Sequence, residues 1–120
     1  MSEENVETIR RFLAAWNRGD LDAALAHFEP AWKVGPRPDR RWAAWLAAWE
    51  PMEIWDYDLR DAGESVVALI SGQLNRGRHS GVEVEVTPYA LVFTLRNRKV
   101  VRWTFYSDQA EALEAAGLLE

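Results

Sequence analysis

Tyr106 and Asp108 stand two residues apart near the end of the chain, with Thr104 before them at the same spacing. On a regular strand all three side chains share one face. A phenol there can donate a hydrogen bond to a carbonyl. A carboxylate walled by apolar rings loses solvation, rises in pKa and can exchange a proton with an enolisable substrate near neutral pH. The same residues also have a local reading. Asp108 followed by Glu111 has the spacing of a capping box at a helix start, and Tyr106 fits an outer face equally well.

Other chemistries find less support. His27 and His79 lie far apart, cysteine is absent, and neither a His-x-His nor a His-Glu-x-x-His spacing occurs, which argues against zinc or another metal. Ser65, Ser71, Ser80 and Ser107 lack a Gly-x-Ser-x-Gly elbow. Neither Gly35-Pro36 nor Arg76-Gly77-Arg78 makes a phosphate-binding loop, which needs glycine-rich backbone opening into a helix. No cofactor is called for.

Tryptophan is the compositional outlier, with seven residues in 120. Each brings a large apolar area and one N–H that wants a partner when buried, so a cluster favours cavities and interfaces as well as core. Trp42, Trp45 and Trp49 fall on one face of a helical spacing, and Trp32 and Trp55 lie on adjoining segments. With Tyr89 and Trp103 they are the candidate walls of a pocket for an apolar or aromatic molecule. Plain core filling is the competing reading.

These side chains must be positioned by a short series of elements. Val6, Ile9, Phe12, Leu13 and Trp16 follow the i, i+3, i+4 spacing of an amphipathic helix over 3–18. Gly19 supplies the left-handed conformation that ends it, and Asp20 can cap a second helix carrying Leu21, Ala24, Leu25 and Phe28, stopped by Pro30. A short strand over 31–34 and a proline loop lead to a third helix from about Asp39, ended by Pro51. Beyond Met52 the period becomes two. Trp55, Tyr57 and Leu59 alternate with charged residues; a turn at 62–64 leads to a strand over 66–74; a glycine-bearing loop over 76–81 joins it to Val82, Val84 and Val86; and the strand resumes through Tyr89, Leu91, Phe93 and Leu95 after a bend at Pro88. A last strand over 100–106 and a closing helix from Asp108 to about Ala116 complete the chain.

The expected fold is α+β: one domain over 1–120, three N-terminal helices on one face of a curved antiparallel sheet, a short C-terminal helix, and a conical space between them. A chain of this size can bury a core without disulfides. Net charge is -5 with twelve arginines and two lysines, so nucleic acid and anionic membrane are poor partners. Arg76, Arg78, Arg96, Arg98 and Arg102 read as a solvated sheet edge. No run of about 20 apolar residues is present to span a bilayer, and a cytoplasmic location is the default expectation.

Three pieces together resemble the nuclear-transport-factor-2-like superfamily, and within it the SnoaL-like polyketide cyclase group. They are Phe12 to Asp22 with its Asn-x-Gly-Asp turn, Gly81-Val82-Glu83-Val84, and Lys99 to Trp103 with Tyr106, Asp108 and Glu111-Ala112-Leu113. The resemblance implies a cone-shaped fold, a homodimer and a deep apolar cavity. It also implies a cofactor-free isomerase, cyclase or lyase acting on an apolar carbonyl compound, with Asp108 in the region where such cyclases carry an acid/base aspartate. A binding or scaffold protein, natural or engineered, for a small hydrophobic ligand is the alternative. Steroid-isomerase chemistry is disfavoured, because Phe12, Gly35 or Pro36, and Ala90 stand where its tyrosine, base and acid would be. Asp56, Arg102 and Asp108 have the residue types of an epoxide-hydrolase trio, but nothing in their spacing forces them together.

Overall fold

The computed structural model describes residues 2–20, 23, 24, 26–28, 49–77 and 80–118. Helix α1 spans Ser2–Asn17 and carries Glu3 and Glu4 in its first turn, where carboxylates complement the helix dipole. Its apolar stripe is buried as the spacing predicts: Ile9 and Leu13 are almost fully enclosed and Phe12 nearly so. Gly19 has φ 76°, and Asp20 N–H reaches back to the Ala15 carbonyl while Gly19 N–H reaches that of Trp16, both at 3.0 Å. This is a Schellman closure. Asp20 Oδ1 then accepts from Ala23 N–H at 3.1 Å, the N-cap expected of it.

Ala23 and Ala24 are helical, but Phe28 is not a helix position. It forms a parallel bridge with Val100, whose N–H takes the His27 carbonyl at 2.9 Å. The second helix therefore ends before Pro30 is reached. The Phe28 ring sits among those of Phe12 and Phe93, at centroid distances of 5.2 and 6.5 Å, and this aromatic packing outweighs the helical period. The expected strand over 31–34, and the third helix up to residue 48, lie outside the described residues. Trp49, expected on that helix, belongs instead to strand β1, Trp49–Ala62. Pro51 does not stop the element, because it falls where the pairing of β1 shifts register between Glu50 and Glu53, and an edge strand tolerates a missing N–H there. Among the described residues one complete helix precedes the sheet, not three.

Strands β2 (Ser65–Gly77), β3 (Glu83–Glu85), β4 (Tyr89–Arg96) and β5 (Lys99–Tyr106) complete an antiparallel sheet ordered β1-β2-β4-β5, with β3 also on β2. β3 and β4 are two parts of one path along β2, broken around Pro88 as expected. Asn97 and Arg98, at φ 54° and 64°, make the two-residue turn that matches strand twist between β4 and β5. Register shifts at Ile54/Asp56, Asp56/Tyr57 and Thr94/Leu95 bend the sheet. Its concave face buries Val66, Ala68, Ile70, Phe93, Leu95 and Val100 against α1 and Phe28. Helix α2, Gln109–Ala115, lies on the opposite face, where Ala112 packs with Val67, Leu69 and Ala90. The helices are thus not all on one side.

Asn17 ties α1 to the sheet. Its Nδ2 donates to the Ile54 carbonyl at 2.8 Å, and its Oδ1 accepts from Ile54 N–H at 2.9 Å. The side-chain amide acts as a one-residue strand neighbour for the free edge of β1. This gives the Asn-x-Gly-Asp sequence a physical meaning: Asn grips the sheet, Gly closes the helix, Asp opens the next segment.

Candidate functional site

Between α1 and the concave face lies a cavity of about 450 Å³. Phe12, Leu13 and Trp16 of α1 form one side, and Leu91, Phe93, Trp103 and Phe105 form much of the other. Polar groups enter through β2 and β4. Gln73 and Asn75 line the cavity and are only 6% exposed. Tyr89 Oη donates to Gln73 Oε1, and Gln73 Nε2 donates to Asn75 Oδ1 at 3.0 Å. Burial pushes the Tyr89 phenol up to about 12.

The register explains why two polar side chains face inward on a strand whose interior is apolar. Ile70 pairs with Tyr57 and Gly72 with Asp56, so Ser71 is an extra residue on β2. That bulge reverses the alternation, turning Gln73 and Asn75 to the side of Val66, Ala68 and Ile70. On β1 the extra residue is Trp55, between Ile54↔Gln73 and Asp56↔Gly72. Trp55 is therefore thrown outward, 55% exposed, and lies across Gly72, where an added Cβ would come within 2.7 Å of the indole Cε2. Ile54 takes the inward place.

The candidates named from sequence divide sharply. Tyr89 and Trp103 line the cavity; Trp55 does not, because its bulge turns the indole outward. Trp32, Trp42 and Trp45 lie outside the described residues, and of Trp49 only the backbone is described. Asp108 and Tyr106 do not line the cavity. On β5 and the residue beyond it the inward positions are Trp103, Phe105 and Ser107, so Thr104, Tyr106 and Asp108 share the other face. Tyr106 packs in the cluster under α2. Asp108 is exposed and caps α2, its Oδ1 accepting from Ala110 N–H at 2.9 Å. Asp56 and Arg102, the other members of the possible trio, are also exposed and do not line the cavity.

Gln73 and Asn75 went unrecognised in the sequence. The available signal was two polar residues at spacing two, closing an otherwise apolar strand. His27, off the cavity, has its pKa lowered by desolvation and by the charges of Lys99 and Arg11. Among the described residues no group of three or more His, Cys, Asp or Glu could hold a metal, and no helix is long and apolar enough to cross a membrane. Arg76 pairs with Glu83 and Arg98 with Glu4, as a solvated edge would.

A mixed α+β architecture, a bent antiparallel sheet and a cavity on its concave side define the nuclear-transport-factor-2-like fold, and solved structures share it. An NTF2-like protein of unknown function from Burkholderia pseudomallei matches at TM-score 0.68 and 19% identity, over 92% of this chain and 95% of that one. A "putative hydroxylase" from Streptomyces galilaeus matches at 0.71 and 18%, over the whole of both chains. A "putative polyketide cyclase" from Xanthomonas campestris matches at 0.69 and 20%, over 96% and 98%. No family profile matches the sequence, and no curated protein matches it. Identities this low establish the fold alone.

Proposed function

We propose that this chain binds a small, neutral, largely apolar molecule inside the cone, as a binding or scaffold protein. The observation that carries this reading is the cavity itself, aromatic and aliphatic over most of its surface with a short hydrogen-bonded polar stripe. That is the composition of a small-molecule site. Among the described lining residues there is no carboxylate, imidazole, amine or guanidinium, and a phenol with its pKa near 12 keeps its proton at neutrality. Binding needs none of these groups, whereas proton transfer needs one near the working pH.

A second reading is a cofactor-free isomerase, cyclase or lyase on an apolar carbonyl compound, favoured by solved structures of this fold described as "putative polyketide cyclase". There Asp108, the capping residue of α2, serves as proton carrier. The fold also suggests a homodimer through the outer face of the sheet, supported by the indole of Trp55 left exposed there.

Titration with varied apolar ligands, followed by the indole fluorescence of Trp16 and Trp103, tests the binding reading; a flat response across chemically diverse ligands overturns it. Turnover of enolisable aromatic ketones that is abolished in Asp108→Asn, at unchanged stability, establishes the enzymatic reading instead. Light scattering on a sizing column reports the dimer.

A further inference from the structure

The polar groups of the cavity form a chain with a direction. Tyr89 Oη–H donates to Gln73 Oε1, which orients the Gln73 amide. Its Nε2 must then face Asn75, and it donates to Asn75 Oδ1 at 3.0 Å. The acceptor of Asn75 is thereby used, and its Nδ2 has no partner among the described residues. Asn75 is 6% exposed and lines the cavity. Trp16 Nε1 is the one fully buried side-chain polar atom without a partner among the described residues, so Asn75 Nδ2 keeps contact with the open space of the cavity, where an acceptor on a ligand can reach it. Trp16 also lines the cavity, but its Nε1 is fully buried with no partner among the described residues and does not reach the open space. Its neighbour Asn17 grips Ile54, which is the cross-strand partner of Gln73. The amide hydrogens of Asn75 are thus the donor that this polar chain leaves to a ligand.

Resting on the binding reading above, we infer that Asn75 is the specificity-determining residue of an acceptor-seeking subsite. Its Nδ2 donates to a neutral oxygen, a carbonyl or ether, on an otherwise apolar ring system. Gln73 and Tyr89 are the positioning residues that hold its amide in that sense. The ligand is neutral because no cationic side chain is among the described lining residues and the chain is acidic overall. Burial keeps the Tyr89 phenol protonated to about 12, so the direction of the chain holds across ordinary working pH.

Three tricyclic probes of nearly one shape separate polarity from fit: fluorenone presents an acceptor, fluorene neither donor nor acceptor, carbazole a donor. Equilibrium dialysis against the full chain should show fluorenone bound about 3- to 10-fold more tightly than fluorene, with carbazole weakest, as expected for one buried hydrogen bond. Asn75→Leu should remove the preference. Tyr89→Phe frees the Gln73 amide to turn and should shrink it. A general packing defect weakens all three probes together and leaves their ratio unchanged, so the ratio reports the relay. Equal affinities for the three, or carbazole binding tightest, overturn this inference and leave the cavity reading intact. Binding of none overturns the cavity reading and this one with it.

Discussion

Replacing Asn17 by Ala tests the contact on which the cone's geometry depends. The substitution removes two hydrogen bonds, of 2.8 and 2.9 Å, and leaves both backbone groups of Ile54 without their partner. Ile54 is 5% exposed, so water replaces the lost amide poorly. Two bonds at a net of about 1 kcal/mol each, plus part of the desolvation penalty of the abandoned groups, give a loss of about 2–4 kcal/mol. With a urea m-value of about 2 kcal/mol/M for a chain of this size, the unfolding midpoint should fall by about 1–2 M. Asn17→Asp is the sharper variant. It retains an acceptor for Ile54 N–H but sets an oxygen against the Ile54 carbonyl, so it should also destabilise at pH 7. Protonation restores a donor, and its deficit relative to the unsubstituted chain should narrow as pH falls through the carboxylate range. Arg18→Ala, at an exposed neighbour, should change stability by less than about 0.5 kcal/mol. An Asn17→Ala loss below about 0.5 kcal/mol would refute the clamp, and the turn sequence would then need another explanation.

Three further outcomes are expected. Asp108→Ala should cost about 0.5–2 kcal/mol through the lost α2 cap, with ligand affinity unchanged, read by chemical denaturation and dialysis side by side. Gly72→Ala should cost about 1–3 kcal/mol, because a Cβ would meet Trp55 at 2.7 Å and Asp56 Cβ at 2.8 Å; shortening Trp55 to Ala in the same chain should recover part of that loss but not all. For Tyr89, the folded pKa lies above the ordinary 10.0, at about 12. The folded state therefore holds the proton longer than the unfolded one, and stability falls as pH rises from about 10 to 12, by about 2–3 kcal/mol in all. Subtracting the Tyr89→Phe stability profile from that of the unsubstituted chain should isolate this alkaline loss.

Local chemistry is legible wherever one residue dictates one conformation. Gly19 closes α1, Asp20 and Asp108 each cap the helical segment after them, and Pro88 breaks the strand path. The period of α1 and the alternation of β4 mark Ile9, Leu13 and Phe93 as core, and all three are buried there. The spacing of Tyr106 and Asp108 puts them on a common face of the last strand. Which face that is depends on the rest of the sheet, and it is the one turned from the cavity.

Helix ends, turns, alternating strands and the class of fold they must build are thus written in the chain, because they follow from interactions spanning a few residues. Where the cavity's polar groups stand is a tertiary matter. One extra residue at Ser71 and another at Trp55 reverse the inside and outside of β2 and β1, bringing Gln73 and Asn75 in and putting the indole of Trp55 out. A bulge shifts side-chain parity by one residue, and its position is set by how two strands pair across the sheet, a relation between distant segments that periodicity within either strand does not contain.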